Sequence, residues 1–261
     1  MLFTKQCQSL GKIIFIDNQS IDDTIPYLKS EGYEVISNDK NSTPRAINIA
    51  FHYGNYDAVC ILANDHFLSP GWLDGVVYDI EHHDLGCASP FTFISSSGAL
   101  KLDPIFNEQF YIKYMQLRQQ YIHSTKSSVD AYIALIKKTY VAGWRDNVIA
   151  FKNRHKEQQP IMPTSYWPGC SIYTKETIQR IGDYDERFIL SGGYADLDYT
   201  LRMASHKVRR GISFKAFIHH FGSISTRKMG LDKDDIDSRA IVEAEKYNQK
   251  QYKEKWGAPH V

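Results

Sequence analysis

The chain has 261 residues, with 31 Lys and Arg against 30 Asp and Glu, 43% hydrophobic, 23% charged and 13% aromatic. That composition fits one α/β domain, or at most a domain and a half, and excludes a long disordered chain, a collagen-like repeat and a coiled coil. No apolar run approaches the roughly 18–20 residues of a membrane helix, and Met1-Leu2-Phe3-Thr4-Lys5 lacks the pattern of a secretory leader. Cys7, Cys60, Cys87 and Cys170 are scattered without paired spacing. The expectation is a cytoplasmic protein with reduced thiols rather than a disulfide frame or a zinc site.

Lys12-Ile13-Ile14-Phe15-Ile16-Asp17 is a short apolar run ending in polar residues, the pattern of a buried parallel strand. Asp22, Asp23 and Thr24 then supply helix-cap candidates, Ile25, Tyr27 and Leu28 an apolar stripe, and Gly32 a stop. Residues 33–36 read as a second strand, 43–53 as a second helix and 56–63 as a third strand. This βαβαβ order predicts a mainly parallel sheet flanked by helices, with ligands beyond the carboxyl ends of the strands. Between Tyr111 and Lys156 nine Lys and Arg stand against two acids, so the neutral total hides a basic segment and a net acidic remainder. Its apolar residues fall at near-helical spacing, which predicts a helical insertion beside the sheet. Residues 212–218 alternate as a strand. An acidic stretch at 232–237 leads into a last helix at 236–255, expected to dock on the core or to pair subunits.

Two strand ends concentrate polar side chains. Asp17-Asn18-Gln19-Ser20-Ile21-Asp22-Asp23 follows the first strand and Asn64-Asp65-His66 the third. Acids and amides at such places make Asx turns and helix caps. Carboxylates converging on one sheet edge also hold a hard divalent cation, which neutralises a phosphate-bearing ligand.

Six spaced segments carry a family resemblance. Leu62-Ala63-Asn64-Asp65-His66-Phe67-Leu68-Ser69-Pro70-Gly71-Trp72-Leu73 resembles the segment of family two glycosyltransferases that bears their Asp-x-Asp-type motif. Asp17-Asn18-Gln19-Ser20-Ile21-Asp22-Asp23-Thr24 resembles the family's donor loop, and Arg45 and Asn48 fall where the family places Arg and Asn on the helix that follows. Gly182-Asp183-Tyr184-Asp185-Glu186-Arg187-Phe188 is similar to its Gly-x-Phe-Asp-Glu-x-Phe. Asp196-x-Asp198 with Arg202 resembles the Glu-Asp-x-Asp block, and His219-His220-Phe221-Gly222-Ser223 the metal-binding histidine segment. Lys255-Trp256-Gly257 matches a C-terminal signature of some members. Each segment alone is weak; their common order is not.

The resemblance implies a GT-A fold, an α/β Rossmann-like sheet with flanking helices, in a single catalytic domain over 1–261. Residues 1–100 would form the nucleotide-sugar half, 108–158 the basic helical insertion, and 160–261 the acceptor and metal-histidine half with its C-terminal helix. It implies transfer of a sugar from a nucleotide-diphosphate sugar to an acceptor hydroxyl, inverting and dependent on Mn²⁺ or Mg²⁺. Asp65 is the expected metal ligand, with His219 or His220, whose rings point to opposite faces of one strand. Asp17, Asn18, Ser20, Asp22, Arg45, Asn48 and Asn64 are expected at the donor, and Trp167, Gly169 and Asp198 at the acceptor. Asp196 is the expected general base. Asp198 also stands four residues before Arg202, a helical ion-pair spacing. Ala195 replaces the family's Glu, and the chain starts at what reads as the helix after the family's first strand, residues 3–10.

The basic insertion, interleaved with Tyr114, Tyr121, Tyr132 and Tyr140, equally suits a solvated face or a polyanion. A hydroxymethylated base in DNA is therefore an alternative acceptor to a glycan. A non-catalytic nucleotide-sugar or glycan-binding module is the alternative outside enzymes.

Overall fold

A computed structural model of the chain describes residues 11–92, 116, 145–161, 169–190, 193–220 and 236–257. Seven strands and seven helices occur among them. In chain order these are β1 (Ile14–Asp17), α1 (Thr24–Ser30), β2 (Glu34–Ser37), α2 (Thr43–Phe51), β3 (Ala58–Leu62), β4 (His66–Leu68) and α3 (Trp72–His83). There follow β5 (Cys87–Phe91), α4 (Arg145–His155), β6 (Cys170–Thr174), α5 (Lys175–Ile181), α6 (Gly193–Ser205), β7 (Arg210–His220) and α7 (Ile236–Trp256).

The opening βαβαβ elements stand where periodicity placed them. β1 and β2 pair in parallel, Ile14 opposite Glu34. Gly32 at φ +78° ends the turn after α1, a backbone state that costs glycine little. Ser42 caps α2 by accepting the Arg45 N–H, with Pro44 in the first turn. The pairing of β3 differs from a single parallel sheet. It joins a five-stranded mixed sheet of order β3-β6-β5-β7-β4, in which β5–β7 is parallel and the other three pairings are antiparallel. The partner of β3 is β6, more than a hundred positions further along, and no local pattern names a partner at that distance.

Side-chain alternation along the sheet divides the core in two. Tyr173 of β6 and Cys87 of β5 face one layer, with Ile47 and Phe51 of α2, Ile178 and Ile181 of α5, and Ala195, Tyr199 and Met203 of α6. Their neighbours Ile172 and Ala88 face the other, with Trp72, Leu73 and Val76 of α3 and Ala216 and Ile218 of β7. The result is helices, sheet, helix. α3 lies so close on β7 that a Cβ at Gly75 would stand 2.5 Å from the Lys215 carbonyl oxygen. Burial holds the Cys87 thiol up at about 12, so it is a small apolar filler.

Most of the basic insertion, the helix expected at 3–10 and Trp167 lie outside the described residues. α4 is the described end of the insertion, and it belongs to the core. Phe151 is fully buried, stacked on Phe91 at 4.7 Å and close to Phe214 and Phe217. Lys152 Nζ donates to the Pro70 carbonyl at 2.9 Å.

The last helix docks on the core, as one of its two expected roles required. Asn248, fully buried, exchanges two 2.8 Å hydrogen bonds with the backbone of Ile189. Lys255 Nζ reaches Asp198 at 2.7 Å and Asp185 at 2.8 Å, while Trp256 Nε1 donates to Asp198 at 2.9 Å. Arg187, and after it Lys255, hold the Asp185 carboxyl well below the usual carboxylate range.

Candidate metal and donor site

The candidate metal cluster forms where β3 ends and the chain doubles back as β4. β4 pairs antiparallel with the carboxyl end of β7, setting His66 opposite His220, Phe67 opposite His219 and Leu68 opposite Ile218. Directly opposed residues share a face. The rings of His66 and His220 accordingly stack, 4.3 Å between centroids and 12° from parallel. Two anchors hold the turn: the Ala63 N–H donates to the Gly169 carbonyl at 3.1 Å, and buried Ser69 Oγ donates to the Phe217 carbonyl at 2.6 Å.

Asp65, on that turn, points its carboxylate at both rings. Oδ2 is 3.3 Å from His220 Nε2 and Oδ1 3.4 Å from His66 Nδ1. Burial alone would lift the Asp65 carboxyl, but the His220 contact and the charges of His220 and His66 bring it below its ordinary value. It is a carboxylate at neutral pH. One ligand atom from each of Asp65, His66 and His220 lies within 4.8 Å of the others.

The residues fit a divalent ion. Asp65 Oδ1 and His220 Nδ1 are buried and accept or donate no hydrogen bond, which is costly unless another group satisfies them. Space is kept for that group by Gly169 at φ +71°, where a Cβ would stand 2.8 Å from His66 Cε1 and 3.3 Å from His220 Cε1. Of the two candidate histidines, His220 is the one set beside Asp65; His219 is described by its backbone pairing with Phe67 alone. His66 was missed by sequence reasoning. Its signal was adjacency to Asp65, which becomes informative only once β4 is known to pair with β7.

The donor-loop residues stand at the carboxyl ends of β1 and β2, knitted into a rigid turn. The Asp17 carboxylate accepts the backbone N–H groups of Gln19 at 3.1 Å and Ser20 at 3.2 Å, with Gln19 at φ +68°. Asn18 Oδ1 accepts from Asn38 Nδ2 at 2.8 Å and the Ser42 N–H at 2.9 Å, and its Nδ2 donates to Asn41. Asp22 accepts the Thr24 N–H at 3.1 Å. The Asx-turn reading of this loop describes its hydrogen bonds directly. Asn64 is exposed beside Asp65.

Arg45 and Asn48 serve a second connection. Arg45 pairs with Asp39 and reaches Glu186 at 3.3 Å. Buried Asn48 accepts the Tyr184 N–H at 2.7 Å and donates to the Tyr184 carbonyl and to Glu186. The two residues clamp α2 onto the Gly182–Phe188 segment.

Asp196 and Asp198 have different surroundings. Asp198 is fully buried and its carboxylate is bound by Arg202 Nε at 3.0 Å, Lys255 and Trp256. Expected at the acceptor, Asp198 here fastens α7 to α6 through these contacts. Asp196, in the first turn of α6, is buried with Oδ1 making no hydrogen bond. Burial pushes its carboxyl well above the usual range.

Residues 4–144, more than half of the chain, match the sequence profile of glycosyl transferase family 2. The chain belongs to that family and is a glycosyltransferase with the α/β plan expected of a GT-A fold. Among solved structures, glucosyl-3-phosphoglycerate synthase from Mycobacterium tuberculosis in complex with phosphoglyceric acid is similar at 11% identity and TM-score 0.45, over 97% of this chain and 71% of that one. The same synthase in complex with Mn²⁺ and uridine-diphosphate-glucose is similar at 11% identity and TM-score 0.42, over 92% and 68%. The crystal structure of a mycobacterial protein is similar at 11% identity and TM-score 0.41, over 84% of this chain and 62% of that one. No curated protein matches the chain. No helix among the described residues is long and apolar enough to cross a membrane.

Proposed function

We propose that the protein transfers a sugar from a nucleotide-diphosphate sugar to an acceptor hydroxyl, with inversion, using a divalent ion held by Asp65 and His220. The observation that carries this is the 3.3 Å approach of His220 Nε2 to Asp65 Oδ2, two side chains far apart in the sequence brought together by the β4–β7 pairing. Bound there, the ion would stabilise the negative charge that builds on the departing diphosphate.

The chain's own residues supply the rest. Asp65 enters as a carboxylate. The ordered turn at Asp17 and Asn18 offers a fixed wall for the nucleoside, with its backbone already satisfied so that donor binding orders little further. Asp196 is the proposed base: its high proton affinity in a buried setting suits it to take the acceptor's proton as the new glycosidic bond forms. The acceptor reading rests on a hydroxyl-bearing glycan. The described part of the basic segment, α4, uses Phe151 and Lys152 in the fold.

The test is incubation with a panel of nucleotide-diphosphate sugars and Mn²⁺, following release of the nucleoside diphosphate. Turnover with at least one donor, abolished by EDTA, is expected. Tight binding of a donor with no turnover over hours would favour the binding-module reading.

A further inference from the structure

The antiparallel pairing of β3 with β6 sets two cysteines side by side. Cys60 stands opposite Ile172, and Cys170 opposite Leu62. Residues two apart on a strand share a face, and so do directly opposed residues, so Cys60 and Cys170 are diagonal neighbours on one side of the sheet. Their thiols hydrogen-bond to each other. β3 is the end strand of the five-stranded sheet, and Cys60 is exposed there while Cys170 is fully buried. Burial, and after it the Cys60 thiol, holds the Cys170 thiol well above its ordinary value. The exposed partner is therefore the one that meets a reagent first. Cys170 follows Gly169, whose carbonyl takes the Ala63 N–H two residues before Asp65.

We propose that Cys60 and Cys170 are a redox-active pair, which a small-molecule disulfide of the glutathione type converts to a reversible intramolecular disulfide that fastens β3 to β6 beside the Asp65 turn. The inference goes beyond the sugar-transfer reading and does not depend on it. The Cys60 thiolate attacks one sulfur of glutathione disulfide, whose S–S bond breaks and releases one glutathione. Cys170 then gives up its proton, and its sulfur attacks the Cys60 sulfur of the mixed disulfide, releasing the second glutathione. Two protein thiols are oxidised to one disulfide, glutathione disulfide is reduced to two thiols, and the two protons lost by the protein end on them. Diagonal neighbours stand further apart than opposed ones, so the link pulls on both strands; strained links of this kind are the readily reduced ones.

The experiment incubates the reduced full chain with excess glutathione disulfide and maps its peptides without reduction. Wild type should lose two of its four thiols, yield a peptide joining Cys60 to Cys170, keep no glutathione, and regain both thiols when excess reduced glutathione is added. Cys170→Ala should stop at a lasting glutathione adduct on Cys60. Cys60→Ser changes an exposed side chain and leaves the fold alone; it should form neither adduct nor link at Cys170. A wild type that ends as the Cys60 adduct with Cys170 still a thiol, that links Cys60 to another cysteine, or that does not react at all would overturn the proposal. Each of these results is read without ion or donor, so none of them bears on the sugar-transfer reading.

Discussion

Replacing Asp198 with alanine should destabilise the protein without touching the chemistry. The carboxylate is fully buried and is shared by Arg202 at 3.0 Å, Lys255 at 2.7 Å and the Trp256 indole at 2.9 Å. Removing one partner of a buried ion pair costs about 3–5 kcal/mol, because the opposite charge is left without compensation. Two partners here retain other bonds. Arg202 keeps the carbonyls of Ile181 and Asp183, and Lys255 keeps Asp185. The low end, about 3 kcal/mol, is therefore the working figure, and for a domain of this size it lowers Tm by roughly 6–12 °C. Thermal unfolding read by circular dichroism measures it, with initial transfer rates taken well below the variant's Tm. Were Asp198 instead an acceptor contact, Tm would move by less than about 2 °C and the acceptor KM would rise; that pair of results refutes the anchor assignment.

Two further substitutions test the site. Gly169→Ala places a Cβ 2.8 Å from His66 Cε1 on a backbone at φ +71°, a conformation that costs a non-glycine residue about 1–2 kcal/mol. Its Tm should fall by a few degrees, and calorimetry should show a larger proportional loss in ion affinity; unchanged affinity would mean that the space is not part of the ion site. Asp196→Asn should bind donor nearly as wild type and lose about 100-fold or more in transfer, the usual contribution of a general base. Burial raises the Asp196 pKa in the folded protein, so folding favours its protonated form and the stability this confers is lost as pH rises through the folded value. Transfer by the wild type should therefore rise with pH above the ordinary carboxylate range, whereas Asp196→Asn should be the more stable protein at neutral pH. An acid limb near pH 4, or retained transfer in the variant, would remove Asp196 from the role.

Local pattern made the opening elements legible, since each of the stretches around β1, α1, β2, α2 and β3 carries its own periodicity and its own stop. Pairing was a different matter. Neither the partnership of β3 with β6 nor that of β4 with β7 leaves a mark within a window of ten residues. β4 is three residues long and has no periodicity to read. Spaced motifs therefore singled out Asp65 and the pair His219 and His220, whereas the place of His66 beside Asp65 and His220 needs the β4–β7 register. The same distance effect hid the contacts of Arg45, Asn48 and Asp198, whose side chains join segments far apart in the chain.

The central claim is that Asp65 and His220 hold the ion that grips the donor's diphosphate. Calorimetric titration with a panel of nucleoside diphosphates, with and without Mn²⁺, tests it on the wild type, Asp65→Asn and His220→Ala. The account predicts binding of at least one nucleotide that strengthens when Mn²⁺ is present, and loss of that increment in both variants while their melting curves remain cooperative. Nucleotide affinity that ignores the ion, or an ion-dependent increment that survives both substitutions, would contradict it.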